Sequence, residues 1–219
     1  MMSATTGDAV TVGGTGRRRL ITREKIADAG IEMTLPAVTF TGLAKRLGVS
    51  LPALYKHVDG IDELRILVAE EIFSRWELPE LASGESIEAH LARLARSLRD
   101  LVLAHPGLAQ YLSRIGRHTP VALGKIDAHQ TEVAERFGLS PTQASWVLST
   151  VTFTAVALSD VVFHAAVALP TRVPLAGSPD LRTLSRIEPT PLLDGPEQKF
   201  AFAMEAMIRG ALLQLTALP

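Results

Sequence analysis

Residues 42–58 read Gly-Leu-Ala-Lys-Arg-Leu-Gly-Val-Ser-Leu-Pro-Ala-Leu-Tyr-Lys-His-Val, and no other stretch of the 219-residue chain constrains the fold as strongly. Leu43, Ala44 and Leu47 fall on one helical face, and Gly48 can end that helix in a left-handed turn. Ser50 is placed to cap a second helix, with Pro52 in its first turn, where a missing N–H costs little. That second helix is predicted to carry Leu54, Tyr55, Lys56 and His57. Two short helices meeting at Gly48-Val49-Ser50 have the three-to-four-residue joint of a helix-turn-helix. Ala44 is small where the second helix must approach, and Val49 plugs the gap between the two.

The flanking pattern is helical throughout. Thr22 is expected to cap a helix to about Thr34 whose Ile26, Ala29, Gly30 and Met33 share a face. Thr39 or Thr41 caps the next, and Asp59 with Asp62 resembles a capping arrangement before a stripe of Leu64, Leu67, Val68, Ile72 and Trp76. Further amphipathic helices are predicted at about 85–104, 107–116, 120–137, 141–168 and 196–216, with a proline-rich loop over 169–196 holding one helical turn near 181–187. No strand is needed, so the fold class is all-α. The expected division is a flexible arm over 1–16, a helix-turn-helix unit over 17–60, a connecting helix over 61–78 and a helical domain over 79–219.

Composition narrows the function classes. With no cysteine there is no disulfide, thiol catalysis or cysteine zinc site, which suits a reducing cytoplasm. The polar opening lacks the apolar core of a signal peptide. From Phe137 to Ser159 no residue is charged, yet Ser145, Ser149, Thr150, Thr152 and Thr154 interrupt the run and no basic cluster adjoins it, so a core or subunit-interface helix is expected in place of a membrane span. The net charge is only −1, but residues 17–57 hold eight Lys and Arg against three acidic groups, a local excess of +5. Such a block is the footprint of a polyanion site, or else a solvated helical face.

Taken together, Thr22–Met33, Thr39, Leu43-Ala44, Leu47-Gly48-Val49-Ser50, Ala53-Leu54-Tyr55, His57-Val58 and Asp62-Glu63-Leu64 resemble the N-terminal domain of the TetR (tetracycline-repressor-like) family. The resemblance covers about residues 20–77; beyond it, Ala104-His105, Gly138-Leu139-Ser140 and two long final helices resemble the family by spacing. It implies a DNA-binding homodimer with a C-terminal ligand-binding and dimerisation domain, and a palindromic operator released when a small molecule binds. Thr39, Ser50, Tyr55 and Lys56 would contact phosphates, with Tyr55 and His57 also fixing the reading helix. Leu51, Pro52 and Ala53 would meet base edges, where apolar contact with thymine methyls is the natural readout. Thr41 stands where the tetracycline-sensing members read a base with arginine, and Ile61 where many members bind phosphate with lysine. These departures imply a different operator and leave more of the affinity to Lys56 and Arg17–Arg19.

The tetracycline-sensing members hold a metal–drug chelate with polar groups and a histidine. Corresponding places here carry Leu94, Leu98 and Leu112, while Gln130 keeps an amide, which implies an apolar pocket without a metal. Its candidate lining is Trp76, Leu94, Leu98, Tyr111, Leu112, Ile115, His118, Gln130, Trp146, Leu148 and Phe153, with His129 a further polar candidate. Taken alone, each is better explained by core packing, and only as a set at the junction of helices do they point to a ligand site. Asp160 and His164, at i and i+4, read as a buried polar pair or a cross-subunit contact. An all-helical enzyme or carrier, or a DNA-binding activator or architectural protein without a ligand, remains as the alternative. Against an enzyme, the chain shows no glycine-rich phosphate loop after a strand, no metal spacing and no cysteine, and no cofactor is called for.

Overall fold

The computed structural model describes residues 21–112, 120–168, 195–215 and 217, and the side chains of 162–168 are not described. The arm 1–16, Arg17–Arg19, Ile115, His118, the turn predicted near 181–187 and the His164 side chain therefore lie outside the described residues. Among the described residues the elements are α1 (Arg23–Met33), a 3₁₀ turn (Leu35–Ala37), α2 (Phe40–Leu47), α3 (Leu51–Leu54), α4 (Ile61–Arg75), α5 (Ile87–Ala104), α6 (Ala109–Leu112), α7 (Pro120–Phe137), α8 (Pro141–Ala168) and α9 (Pro196–Leu215), with no strand. The fold is all-α.

Local chemistry sets most boundaries. Thr22 and Thr39 accept the N–H groups of Lys25 and Gly42 at 3.2 and 3.1 Å, satisfying donors that a helix start leaves open. Gly48, at φ 67°, closes α2, and the Val49 N–H reaches back to the Ala44 carbonyl at 3.0 Å. At the start of α8, Ser140 and Gln143 form a reciprocal capping box, with N–H to side-chain oxygen distances of 2.9 and 3.2 Å.

Three local expectations change. Ser50 occupies the N-cap of α3 but makes no side-chain capping bond, because Ala53 N–H takes its carbonyl in a tighter i→i+3 turn. The α-helical ladder stops at Leu54; Tyr55, Lys56 and His57 follow as turns, His57 N–H bonding the Leu54 carbonyl at 2.9 Å. Before α4 the cap position is Gly60, and it is Glu63, not Asp62, that reaches back to the Asp59 N–H.

Helices α1–α3 enclose Ile26, Leu43, Leu54 and Val58, all buried, and α4 closes this group with Leu64 and Val68. At Gly30 the α1 backbone packs so closely on the Val68 side chain of α4 that a Cβ there would stand 2.3 Å from Val68 Cγ2. The opposite end of α4 packs on α6 and α7, so one helix belongs to both halves of the molecule. There α5, α7, α8 and α9 pack around Leu91, Leu94, Val133, Val147, Val151, Phe200 and Ile208. Over Pro141–Val161, α8 is apolar and long enough to cross a membrane by length and composition, and a core helix passes the same test. Its Ala144, Val147, Leu148, Val151, Ala155 and Ser159 are buried, in a helix packed on α5, α7 and α9. Asp160 is exposed on the single chain.

Candidate nucleic-acid interface and effector cavity

The face around α3 is open to solvent. Leu54 is fully buried and anchors the segment, whereas Thr41, Ser50, Leu51, Pro52, Tyr55 and Lys56 are exposed and Ala53 and His57 half-buried. Leu51 is 39% exposed. Tyr55 stacks on Phe40 with centroids 4.3 Å apart and planes 17° from parallel, which ties the turn after α3 to α2 while leaving half of Tyr55 exposed. Thr39 is exposed and spends its oxygen on capping α2. Arg46 is paired with Glu32, and Arg23 lies 3.7 Å from Glu63, so two of the basic groups are partly neutralised. Lys45 and Lys56 are exposed on this side of the chain.

Beyond α4 lies an apolar cavity of about 180 Å³. Trp76, Leu94, Leu98, Leu112, Gln130, Leu148 and Phe153 line it. Tyr111 is buried beside it in the core and Trp146 is half-buried against that core; neither lines the cavity. Phe73 and Leu78 add to the wall near the end of α4, Ile126 and His129 from α7, and Ser149, Thr152 and Val156 from α8. The Trp76 indole N–H donates to Ser97 Oγ at 2.9 Å, fixing the ring that separates cavity from solvent cleft. The Thr152 hydroxyl is turned back on the Leu148 carbonyl at 2.7 Å, as a hydroxyl in an apolar helix must be.

His129 of the cavity wall is half of a buried histidine pair. His90 Nε2 lies 3.2 Å from His129 Nε2, so one ring donates and the other accepts. Burial and the neighbouring His129 push the His90 imidazole down to about 4, against the opposing pull of Glu85. Burial also lowers His129, against Glu132. Arg93 binds Glu85 through two bonds of 3.0 and 2.5 Å and holds that carboxyl down at about 2. Among the described residues no group of three or more His, Cys, Asp or Glu is placed to hold a metal.

No protein-family model matches the chain. Over 216 residues it is 33% identical to the class D tetracycline repressor protein of Escherichia coli, covering 90% of this chain and 92% of that protein. The chain belongs to the tetracycline-repressor family. The class H tetracycline repressor of Photobacterium damsela subsp. piscicida is equally similar, at 33% identity over the same shares. Among solved structures, TetR from Acinetobacter baumannii AYE, crystallised as a variant in complex with minocycline, superposes with a TM-score of 0.68 at 21% identity, over 91% of this chain and 97% of that one. ActR of Streptomyces coelicolor in complex with actinorhodin gives 0.68 at 20% identity, over 90% and 99%. These two establish the shared fold. As a member of the tetracycline-repressor family the chain is a transcriptional regulator, and its cavity lies in the helical half of that fold.

Proposed function

We propose that the protein is a repressor that binds a palindromic operator as a homodimer and lets go when an apolar small molecule enters the cavity. One observation carries the reading: α4 joins the exposed face around α3 to the cavity, which Phe73 of its last turn and the adjoining Trp76 wall. In this reading residues 17–60 form the reading head, 61–78 the connecting helix and 79–219 the sensing and pairing domain.

Thr39, Thr41, Ser50, Tyr55, Lys56 and His57 then contact or support contact with the DNA backbone, and Leu51, Pro52 and Ala53 read base edges. Helices α8 and α9 pair with their symmetry mates; their exposed Phe153, Val161, Phe202 and Leu213 supply apolar surface that water would otherwise cover. The pairing would set two reading heads about 34–36 Å apart, one turn of DNA. The complexes of the structural relatives with minocycline and actinorhodin support a small-molecule occupant, and the leucines lining this cavity favour an apolar one. Such a regulator works where the DNA is, in the cytoplasm.

Operator selection from a random duplex library, followed by competition with apolar metabolites and drugs, tests both halves. A selected palindrome whose complex dissociates on adding one such compound is the expected result. Failure to select any sequence removes the repressor reading. A palindrome that no apolar compound releases removes the sensing half and leaves a regulator that dimerises without a ligand.

A further inference from the structure

We infer that Lys125 is a positioning residue that couples the cavity wall to the reading helices through the last turn of α4. The inference rests on the repressor reading above and names the contact by which that reading would be transmitted.

A helix ends with carbonyls that lack intrahelical donors and with the negative pole of its dipole. At the end of α4 the Trp76 N–H takes the Ile72 and Phe73 carbonyls at 3.1 and 3.3 Å. The Lys125 ammonium, coming from α7, donates to the Phe73 and Ser74 carbonyls at 3.4 and 3.2 Å and to the Trp76 carbonyl. Three donors on one cation thus meet three carbonyls at the turn. The same ammonium lies 5.8 Å from the Phe73 ring centre and 6.0 Å from that of Trp76, on whose π-faces a cation is attracted.

The turn is also held from the other side. Arg75, between Ser74 and Trp76, pairs with Asp28 of α1 and with Glu71 one turn back, its Nε lying 2.8 Å from the Glu71 carboxylate. α1 is seated tightly on α4 at Gly30 and Val68, so a displacement of the turn has a rigid path into the reading helices. Phe73 and Trp76 wall the cavity, as do Ile126 and His129, which follow Lys125 on α7. An occupant that parts α7 from α4 therefore loads the Lys125 contact directly. A lysine that merely caps α4 would have no effect beyond that turn.

The two roles separate in amide hydrogen exchange on the full-length protein. Lys125→Met is expected to speed exchange about fivefold or more, both near residues 73–78 and in α1 over 23–33, with Lys125→Arg restoring protection in α1. A change confined to 73–78 makes Lys125 a simple cap and overturns the inference. Should Lys125→Met fail to fold, Lys125→Gln, which keeps one donor group, is read by the same measurement. A double-mutant cycle supplies a second readout. The effects of Lys125→Met and Asp28→Asn on affinity for the selected operator should depart from multiplicativity by about threefold or more, although these residues grip opposite sides of the turn. A product within about 1.5-fold overturns the coupling. If no operator is selected, the repressor reading falls, while the exchange experiment still decides for or against Lys125.

Discussion

The imidazoles of His90 and His129 face each other across 3.2 Å, one on α5 and the other on α7, and the His129 ring belongs to the cavity wall. The residues stand 39 positions apart in the chain, and only the packing of α5 and α7 makes them partners.

This pair predicts a direction of pH dependence. In the unfolded chain a histidine takes its proton near 6.5, whereas folded His90 takes it near 4 and folded His129 is also depressed. Between those limits the unfolded state binds more protons, so stability is full above about 6.5 and falls as the pH drops towards 4. Half-buried His105 acts in the same direction, while Glu85, held near 2 by Arg93, loses its own stabilising contribution only at lower pH. Urea unfolding should show a lower midpoint at pH 5 than at pH 7.5, and His129→Asn should narrow that difference. Equal midpoints for the unmodified protein at the two pH values would contradict the assignment of two neutral buried rings.

The contact at Gly30 predicts an unusual response to alanine. Gly→Ala inside a helix ordinarily stabilises by up to about 1 kcal/mol. Here the new Cβ would meet Val68 Cγ2 at 2.3 Å, and a β-branched side chain in a helix has little rotameric freedom to retreat. Overpacking of this kind costs about 1–3 kcal/mol, so Gly30→Ala should lower the denaturation midpoint. Adding Val68→Ala should recover part of the loss, a non-additivity that a backbone effect alone would not produce.

How much of this was legible before the fold is best seen residue by residue. The capping roles of Thr22 and Thr39 and the left-handed Gly48 follow from short-range rules, and the helices appear close to where those rules put them. Ser50 departs from its expected capping bond because Pro52 and the tight i→i+3 turn at Ala53 shape the start of α3. Eight of the proposed residues, His129 among them, line the cavity. Ser149 and Thr152 carry no sequence signal of a cavity, since α8 spreads its small polar residues along a largely apolar helix and spacing does not say which face meets a void. The role of Lys125 had no sequence signature either, for its partners are backbone carbonyls 49 to 52 positions away.

On the reading face, exposed and buried leucines three positions apart should behave oppositely. Leu54 is fully buried, so Leu54→Ala should cost about 2–5 kcal/mol of stability. Leu51→Ala should leave the melting temperature almost unchanged and instead relax discrimination among operator sequences by about 1–3 kcal/mol at one base position. Lys56→Ala should weaken binding to all duplexes alike and reduce the slope of log affinity against log salt by about 1. If Lys56→Ala altered sequence preference and left the salt slope intact, the proposed phosphate contact would be wrong.

The cavity itself is testable without knowing its occupant, because α5 presents two buried leucines in different surroundings. Leu91 is fully buried and sits away from the cavity, whereas Leu98, two turns on, lines it. Enlarging a side chain in a filled core costs about 1–3 kcal/mol through forced rotamers and backbone shifts. Leu91→Phe should therefore lower the melting temperature clearly. Leu98→Phe can send its extra bulk into the void of about 180 Å³, where it gains contacts that leucine lacks, and should stay within about 1 kcal/mol of the parent. The same Leu98→Phe protein should keep its operator affinity while responding less to any compound that releases the parent. A loss at Leu98 as large as that at Leu91 would mean that no usable space exists between α5 and α8, and the effector site would have to be sought elsewhere.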